Sequence, residues 1–199
     1  MEYFKNKNSV VTASTMGLGY ATAKKLLENG SNVIICSRKS ENVKNAIESL
    51  KNYGNVLGKE CDMTSIESVN EFTEFVREKF SVLHNLVIIP GDPKPGKFRE
   101  LKFDDWLSAT NLLLLSPVKM IYDLSEIFSE DASIVISTSI AIREPIPELA
   151  LSNVVRLSLA GLVKTLSKEF KGIRVNGIIP GYFDTPRLKR IIDVRKNNC

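Results

Sequence analysis

Ser152 and Arg156 stand four residues apart in the run LALSNVVRLSL. Apolar residues at 151, 155, 159, 162, 166 and 170 recur at helical spacing, so the two polar side chains share one face of a predicted helix. A hydroxyl beside a guanidinium can hold an oxygen atom or a water and stabilise negative charge developing there. The bland reading of the same pair is the solvated coat of an amphipathic helix. A second pattern lies near the N-terminus, where Gly17 and Gly19 separate the β-branched run SVVTAS from YATAKKLLENG. A tight turn from strand into helix leaves free N–H groups at the positive end of a helix dipole, and glycines let a pyrophosphate reach that backbone. Taken alone, two glycines serve any such turn, and the structural and functional readings stand level.

The elements that would position these residues alternate along the chain. After the first strand and helix come the apolar run NVIICSR, a helix SENVKNAIESLKNYG with Ser40 expected as its cap, and a third strand NVLGKECD. SIESVNEFTEFVREKF is again helical, and LHNLVIIPG is a strand apolar enough to be buried on both faces. A Pro/Gly loop, GDPKPGKF, leads to a long helical region from Phe103 to about Phe128, then the strand ASIVISTS, the helix of Ser152, and a last strand in GIRVNGIIPG. Such alternation predicts an α/β fold, a doubly wound parallel sheet in a Rossmann-like three-layer α/β/α arrangement of about six strands. The whole of 1–199 reads as one domain, without repeats or linkers.

Composition narrows the function. Of the 199 residues 43% are hydrophobic and 25% charged, an average globular balance that argues against disorder. The net charge of +4 is spread along the chain except in RLKRIIDVRK, which reads as a solvated terminal helix, so no nucleic-acid partner is expected. Cys36, Cys61 and Cys199 have no metal-ligand spacing and read as reduced thiols of a cytoplasmic protein. No apolar run reaches the ~18 residues of a membrane span, and the N-terminus lacks the apolar core of a signal peptide, so no membrane association is expected.

In context the glycine turn resembles a known pattern. TASTMGLG is similar to the T-G-x-x-x-G-x-G loop of the short-chain dehydrogenase/reductase family, with Ala13 in place of the first glycine. CDMT resembles that family's D-x-T segment after the third strand, Asn111 in ATNLLLL its fourth-helix asparagine, Ser139 in ISTSIA its catalytic serine, and PGYFDT its P-G-x-x-x-T segment. The matches come in the family's order from residue 9 to about residue 186. The resemblance implies a dinucleotide held by Thr12, Ser14, Thr15, Gly17, Leu18 and Gly19 in the turn, by Asp62 and Met63 at the adenine, and by Pro90, Gly91, Arg156, Pro180, Gly181, Phe183 and Thr185 toward the nicotinamide. Where an acid at the end of the second strand would bind a ribose hydroxyl, the chain has Ser37 and Arg38. That implies a 2′-phosphate and hence NADP(H) in preference, with NAD(H) still open. No metal is implied. The resemblance also implies a homodimer or homotetramer and a small-molecule carbonyl or alcohol substrate.

The chain departs from the family at its reaction centre. The family's Y-x-x-x-K begins thirteen positions after the catalytic serine, which from Ser139 falls on Ser152 and then Arg156. An alkyl hydroxyl reaches less far than a phenol and is a far weaker acid, and an arginine does not release a proton near neutral pH. The implied catalytic set is therefore Ser139 to orient the substrate oxygen, Asn111 and Ser152 to hold a proton-relay water, and Arg156 to bind ribose and oxyanion. The alternative is a weak or inert NADP(H)-binding pseudoenzyme that serves as a sensor or partner subunit. IIPG also stands where the family has N-N-A-G, which removes supporting amides, and Pro90 removes a backbone donor. A subset of the family with S-x-x-x-R and a similar Gly/Pro-rich loop resembles the chain more closely. Members ordinarily continue past RKNNC, so the domain is expected to lack the family's final helix and seventh strand, either as a fragment of a longer chain or as a naturally short one. His84 reads as a satisfied surface histidine, Tyr182 as a surrogate acid of low standing, and Phe103 and Trp106 as core or interface residues.

Overall fold

The apolar runs of the sequence become the strands of a single sheet. The computed structural model describes residues 2–181 and 183. β1 (Asn8–Val11), β2 (Asn32–Ser37), β3 (Val56–Glu60), β4 (Leu83–Ile88), β5 (Phe128–Ser137) and β6 (Arg174–Ile178) lie in the order β3-β2-β1-β4-β5-β6. Every pairing is parallel, with Val10 beside both Ile34 and Leu86 and Ile134 beside Leu86. The sheet is thus doubly wound, as the alternation of elements predicts, and its order reverses between β1 and β4.

Successive residues of a strand point to opposite faces, and two cores follow from that alternation. Val11, Val33 and Ile35 pack under α1 (Gly17–Glu28) and α2 (Ser40–Leu50) through Ala23, Leu27, Val43 and Leu50. Val10, Ile34 and Leu86 face the other way, onto α3 (Ile66–Lys79), α5 (Ser116–Leu124) and α6 (Ala150–Glu169) through Phe72, Met120 and Leu159.

Local chemistry moves several element ends from their sequence-based positions. Ser40 is not the cap of α2 but its first helical residue; Lys39, in extended conformation, occupies the cap without a side-chain bond. Ser65 does cap α3, its Oγ accepting the Ser68 N–H at 3.2 Å. The long helical region divides into α4 (Phe103–Thr110), a π-helical turn (Asn111–Leu115), α5 and a 3-10 turn (Ser125–Ile127), and β5 already begins at Phe128. α1 starts at Gly17, inside the glycine turn, three residues earlier than its apolar pattern. His84 lies within β4, half-buried.

Candidate functional site

The C-terminal ends of β1 and β4, where the strand order reverses, are tied together by Thr12. Its hydroxyl donates to the Ile89 carbonyl at 3.0 Å and accepts the Ile89 N–H at 2.8 Å. Ser14 closes the turn toward β2. Its Oγ donates to the Val11 carbonyl at 2.6 Å and accepts the Cys36 N–H at 3.2 Å. Both residues are fully buried, so they shape the turn and offer no side chain to a ligand. Gly19 follows from this tight winding, since a Cβ there would stand 2.3 Å from the Ala13 carbonyl oxygen. Gly17 and Ala13 both take left-handed backbone conformations, at φ 56° and 47°. For Ala13, which stands where the family has glycine, that conformation costs roughly 1 kcal/mol. Met16 occupies the cap of α1 without a side-chain bond, and the first turn carries no acidic residue. The N-terminus of a twelve-residue helix thus meets the switch point uncapped by side chains, with Thr15 and Leu18 half-buried beside it. Its donors and dipole suit an anionic pyrophosphate.

β2 and β3 end on the same edge. Ser37 closes β2 half-buried and Arg38 follows it exposed. Asp62 follows β3, and its Oδ1 accepts both the Thr64 N–H at 2.9 Å and the Thr64 hydroxyl at 2.8 Å. The Met63 side chain lies in the core, and its carbonyl accepts the Ser116 hydroxyl at 2.6 Å. Beneath this segment Cys36 and Cys61, distant in sequence, meet as free thiols. Hydrogen bonding to Cys36, then burial, push the Cys61 thiol far above its ordinary range. The Cys61 thiol therefore stays protonated there.

α6 carries the opening pair, and the pair is not a solvated coat. Leu151, Val155 and Leu159 anchor the helix in the core, and Ser152 and Arg156 are buried with them, Arg156 at 4% exposure. Arg156 Nε donates to Ser152 Oγ at 3.0 Å. A terminal nitrogen of the same guanidinium donates to the Gly91 carbonyl at 2.9 Å and meets Asp92 Oδ1 at 3.3 Å. Gly91 follows buried Pro90 at the end of β4, and a Cβ there would stand 3.3 Å from Leu112. Ser139 follows β5 and starts a 3-10 turn, its Oγ accepting the Ala141 N–H at 3.2 Å. Asn111 opens the π-helical turn, an irregularity common at functional sites, and its amide donates to the Thr64 carbonyl at 3.1 Å. α6 packs against both of these turns, so the strands' C-terminal edge gathers Ser139, Ser152, Arg156 and Gly91 with the π-helical turn that Asn111 opens.

Pro180 and Gly181 follow β6, with open space around a Cβ added to Gly181, and Phe183 is exposed. Tyr182, Thr185, Cys199 and the basic terminal run lie outside the described residues. Among the described residues no group of His, Cys, Asp and Glu could hold a metal ion, and no helix is long and apolar enough to cross a membrane. Sequence reasoning passed over Asp92. The signal available to it was an acid directly after the β4 glycine in a chain whose lysine position holds an arginine.

Known proteins share both sequence and fold with this chain. A family model described as enoyl-(acyl carrier protein) reductase matches residues 12–198. Human dehydrogenase/reductase SDR family member 2, mitochondrial, is 31% identical over 185 residues, covering 90% of the chain and 66% of that protein. The chain thus spans just under two thirds of that relative's length. L-sorbose reductase from Gluconobacter frateurii, solved with NADPH and L-sorbose, superposes with a TM-score of 0.90 at 27% identity, covering 98% of this chain and 76% of that one. An NADPH-bound short-chain oxidoreductase from Pseudomonas aeruginosa, described as containing an atypical catalytic center, superposes at 0.84 with 26% identity over 96% of this chain and 78% of that one.

Proposed function

Since the chain belongs to the short-chain dehydrogenase/reductase family, we propose that it is an NADP(H)-dependent oxidoreductase acting between a carbonyl and a secondary alcohol. The observation that carries this reading is the uncapped N-terminus of α1 at the β1–β4 switch point, with Arg38 at the end of the adjoining strand. Gly17, Leu18 and Gly19 hold the pyrophosphate through the backbone, and Ser37 and Arg38 hold the 2′-phosphate. Asp62 stands at the adenine, and Gly91, Arg156, Gly181 and Phe183 stand toward the nicotinamide. NADPH-bound proteins of similar fold support the same cofactor. The chain works as a homodimer or homotetramer.

When bound, the dinucleotide supplies or accepts the hydride. Ser139 orients the substrate oxygen. Ser152 Oγ accepts the Arg156 Nε–H, so its own O–H is directed elsewhere and donates to that oxygen or to a water beside it. Arg156 stabilises the alkoxide charge and keeps its proton throughout. The proton therefore arrives from solvent, relayed through a water held near Ser152 and supported from the Asn111 turn, so that the water is reprotonated as it donates. Replacing a positioned phenol with this relay slows the reaction by about 10²–10⁴-fold relative to ordinary members. The missing phenol also favours a second reading, a nucleotide-binding subunit without turnover.

Titration of the folded protein with NADPH and NADH by calorimetry tests the proposal. NADPH is expected to bind at least about tenfold more tightly, with an advantage that shrinks as salt screens the Arg38–phosphate contact. Ser37→Asp is expected to reverse the preference. Binding of neither nucleotide, or equal relative affinities in wild type and variant, would overturn the cofactor assignment.

A further inference from the structure

Asp92 opens the loop that leaves β4, and its carboxylate meets the guanidinium of Arg156 at 3.3 Å. The arginine is almost wholly buried, whereas the Asp92 side chain is 39% exposed. A guanidinium removed from water needs a counter-charge, and Asp92 supplies one from a different element. The arrangement also fixes direction. One side of the guanidinium is turned to Ser152 through Nε, and a terminal nitrogen is held between Asp92 and the Gly91 carbonyl. A lysine at this place would be a point charge indifferent to rotation, but a guanidinium is a planar fork whose contacts depend on the orientation of its plane. The loop that presents Asp92 is itself tied down. Gly96 donates to the Glu148 carbonyl at 2.6 Å and accepts the Ala150 N–H at 3.2 Å, while Lys94 pairs with Asp105 at 2.9 Å.

We propose that Asp92 is a positioning residue, which sets the plane of Arg156 toward the nicotinamide ribose and, through Nε, the direction of the Ser152 hydroxyl. The inference rests on the nucleotide-binding reading above. It explains how an arginine serves where the family uses lysine, and why an acid stands directly after the β4 glycine.

The test compares two ligands by calorimetry: NADPH, and 2′,5′-ADP, which carries the adenosine end and the 2′-phosphate but no nicotinamide ribose. Asp92→Asn is expected to weaken NADPH binding about tenfold and to leave 2′,5′-ADP within about twofold. Asp92→Glu, which restores the carboxylate, is expected to recover most of the loss. Asp92→Ser is a second carboxylate-free variant, and thermal melting establishes that each variant is folded. Unchanged NADPH affinity in the folded Asn or Ser variant would overturn the inference. Equal losses for both ligands, or failure of both variants to fold, would make Asp92 a residue of the fold alone and overturn it as well. Wild-type protein that binds neither ligand would instead overturn the nucleotide-binding reading, and this inference with it.

Discussion

Under the proposed function turnover would depend on Ser152, because an aliphatic hydroxyl holds an oxygen well and protonates it poorly. Its bond from Arg156 Nε polarises the hydroxyl without making it a phenol. Replacing the pair together, Ser152→Tyr with Arg156→Lys, puts an acid of suitable reach beside a cation that can lower its pKa. The double variant is expected to reduce a panel of aliphatic and aromatic ketones with NADPH about 10²-fold faster than wild type. Steady-state rates check this, and equal rates would mean that the surrounding pocket, and not the acid, limits the chemistry. Spacing alone put the pair on one helix face, and the family resemblance placed it thirteen residues beyond Ser139, where the family has its tyrosine and lysine. Its burial was not legible, since helical periodicity puts Ser152 and Arg156 on one face without saying what covers it. The covering groups, Gly91 and Asp92, come from a loop more than sixty residues away, and local pattern carries no such information.

At the scale of elements, the N-terminal ends of β1 and β4 show how a single group ties two strands. His84 Nδ1 accepts the Asn8 backbone N–H at 3.1 Å, and the Asn8 side chain donates to the Val82 carbonyl at 2.8 Å. Only neutral imidazole offers that acceptor. Burial, and then the nearby Lys7 ammonium, hold the His84 pKa below its ordinary 6.5, against a smaller opposing pull from Asp131. The folded state therefore binds fewer protons than the unfolded chain as pH falls below about 6.5, and stability falls with it. Thermal midpoints are expected to hold between pH 8 and 7 and to drop by a few degrees toward pH 5.5, with His84→Gln flattening the drop. An identical pH profile in the variant would remove His84 from the account. The alternation of strands with helices and the helix faces were readable because burial on both faces and 3.6-residue spacing leave direct marks in the apolar pattern. The π-helical turn at Asn111 and the uncapped start of α2 were not. At Asn111 the bond to the Thr64 carbonyl, 47 residues away, is a tertiary contact that local pattern does not carry.

For the whole molecule, one face remains to be accounted for. Phe103 (75% exposed) and Leu107 on α4, Val118 and Tyr122 (77%) on α5, and Val154 and Leu157 on α6 leave large apolar side chains in water. Apolar exposure on neighbouring helices marks an interaction surface, and a stable one covers roughly 800 Å² on each partner. α6 turns Ser152 and Arg156 inward and Val154 and Leu157 outward, so pairing of two copies across it would stiffen the helix that carries the proposed site. Sedimentation is expected to give a dimer or tetramer at micromolar protein, with a melting temperature that rises with concentration as mass action requires. Val154→Glu with Leu157→Glu places two charges on that face without touching the buried side of α6. The double variant is expected to sediment as a monomer, melt at a lower temperature, and lose the concentration dependence. A monomeric wild type, or a variant that assembles as the wild type does, would assign these side chains to some other contact and leave the site complete within one chain.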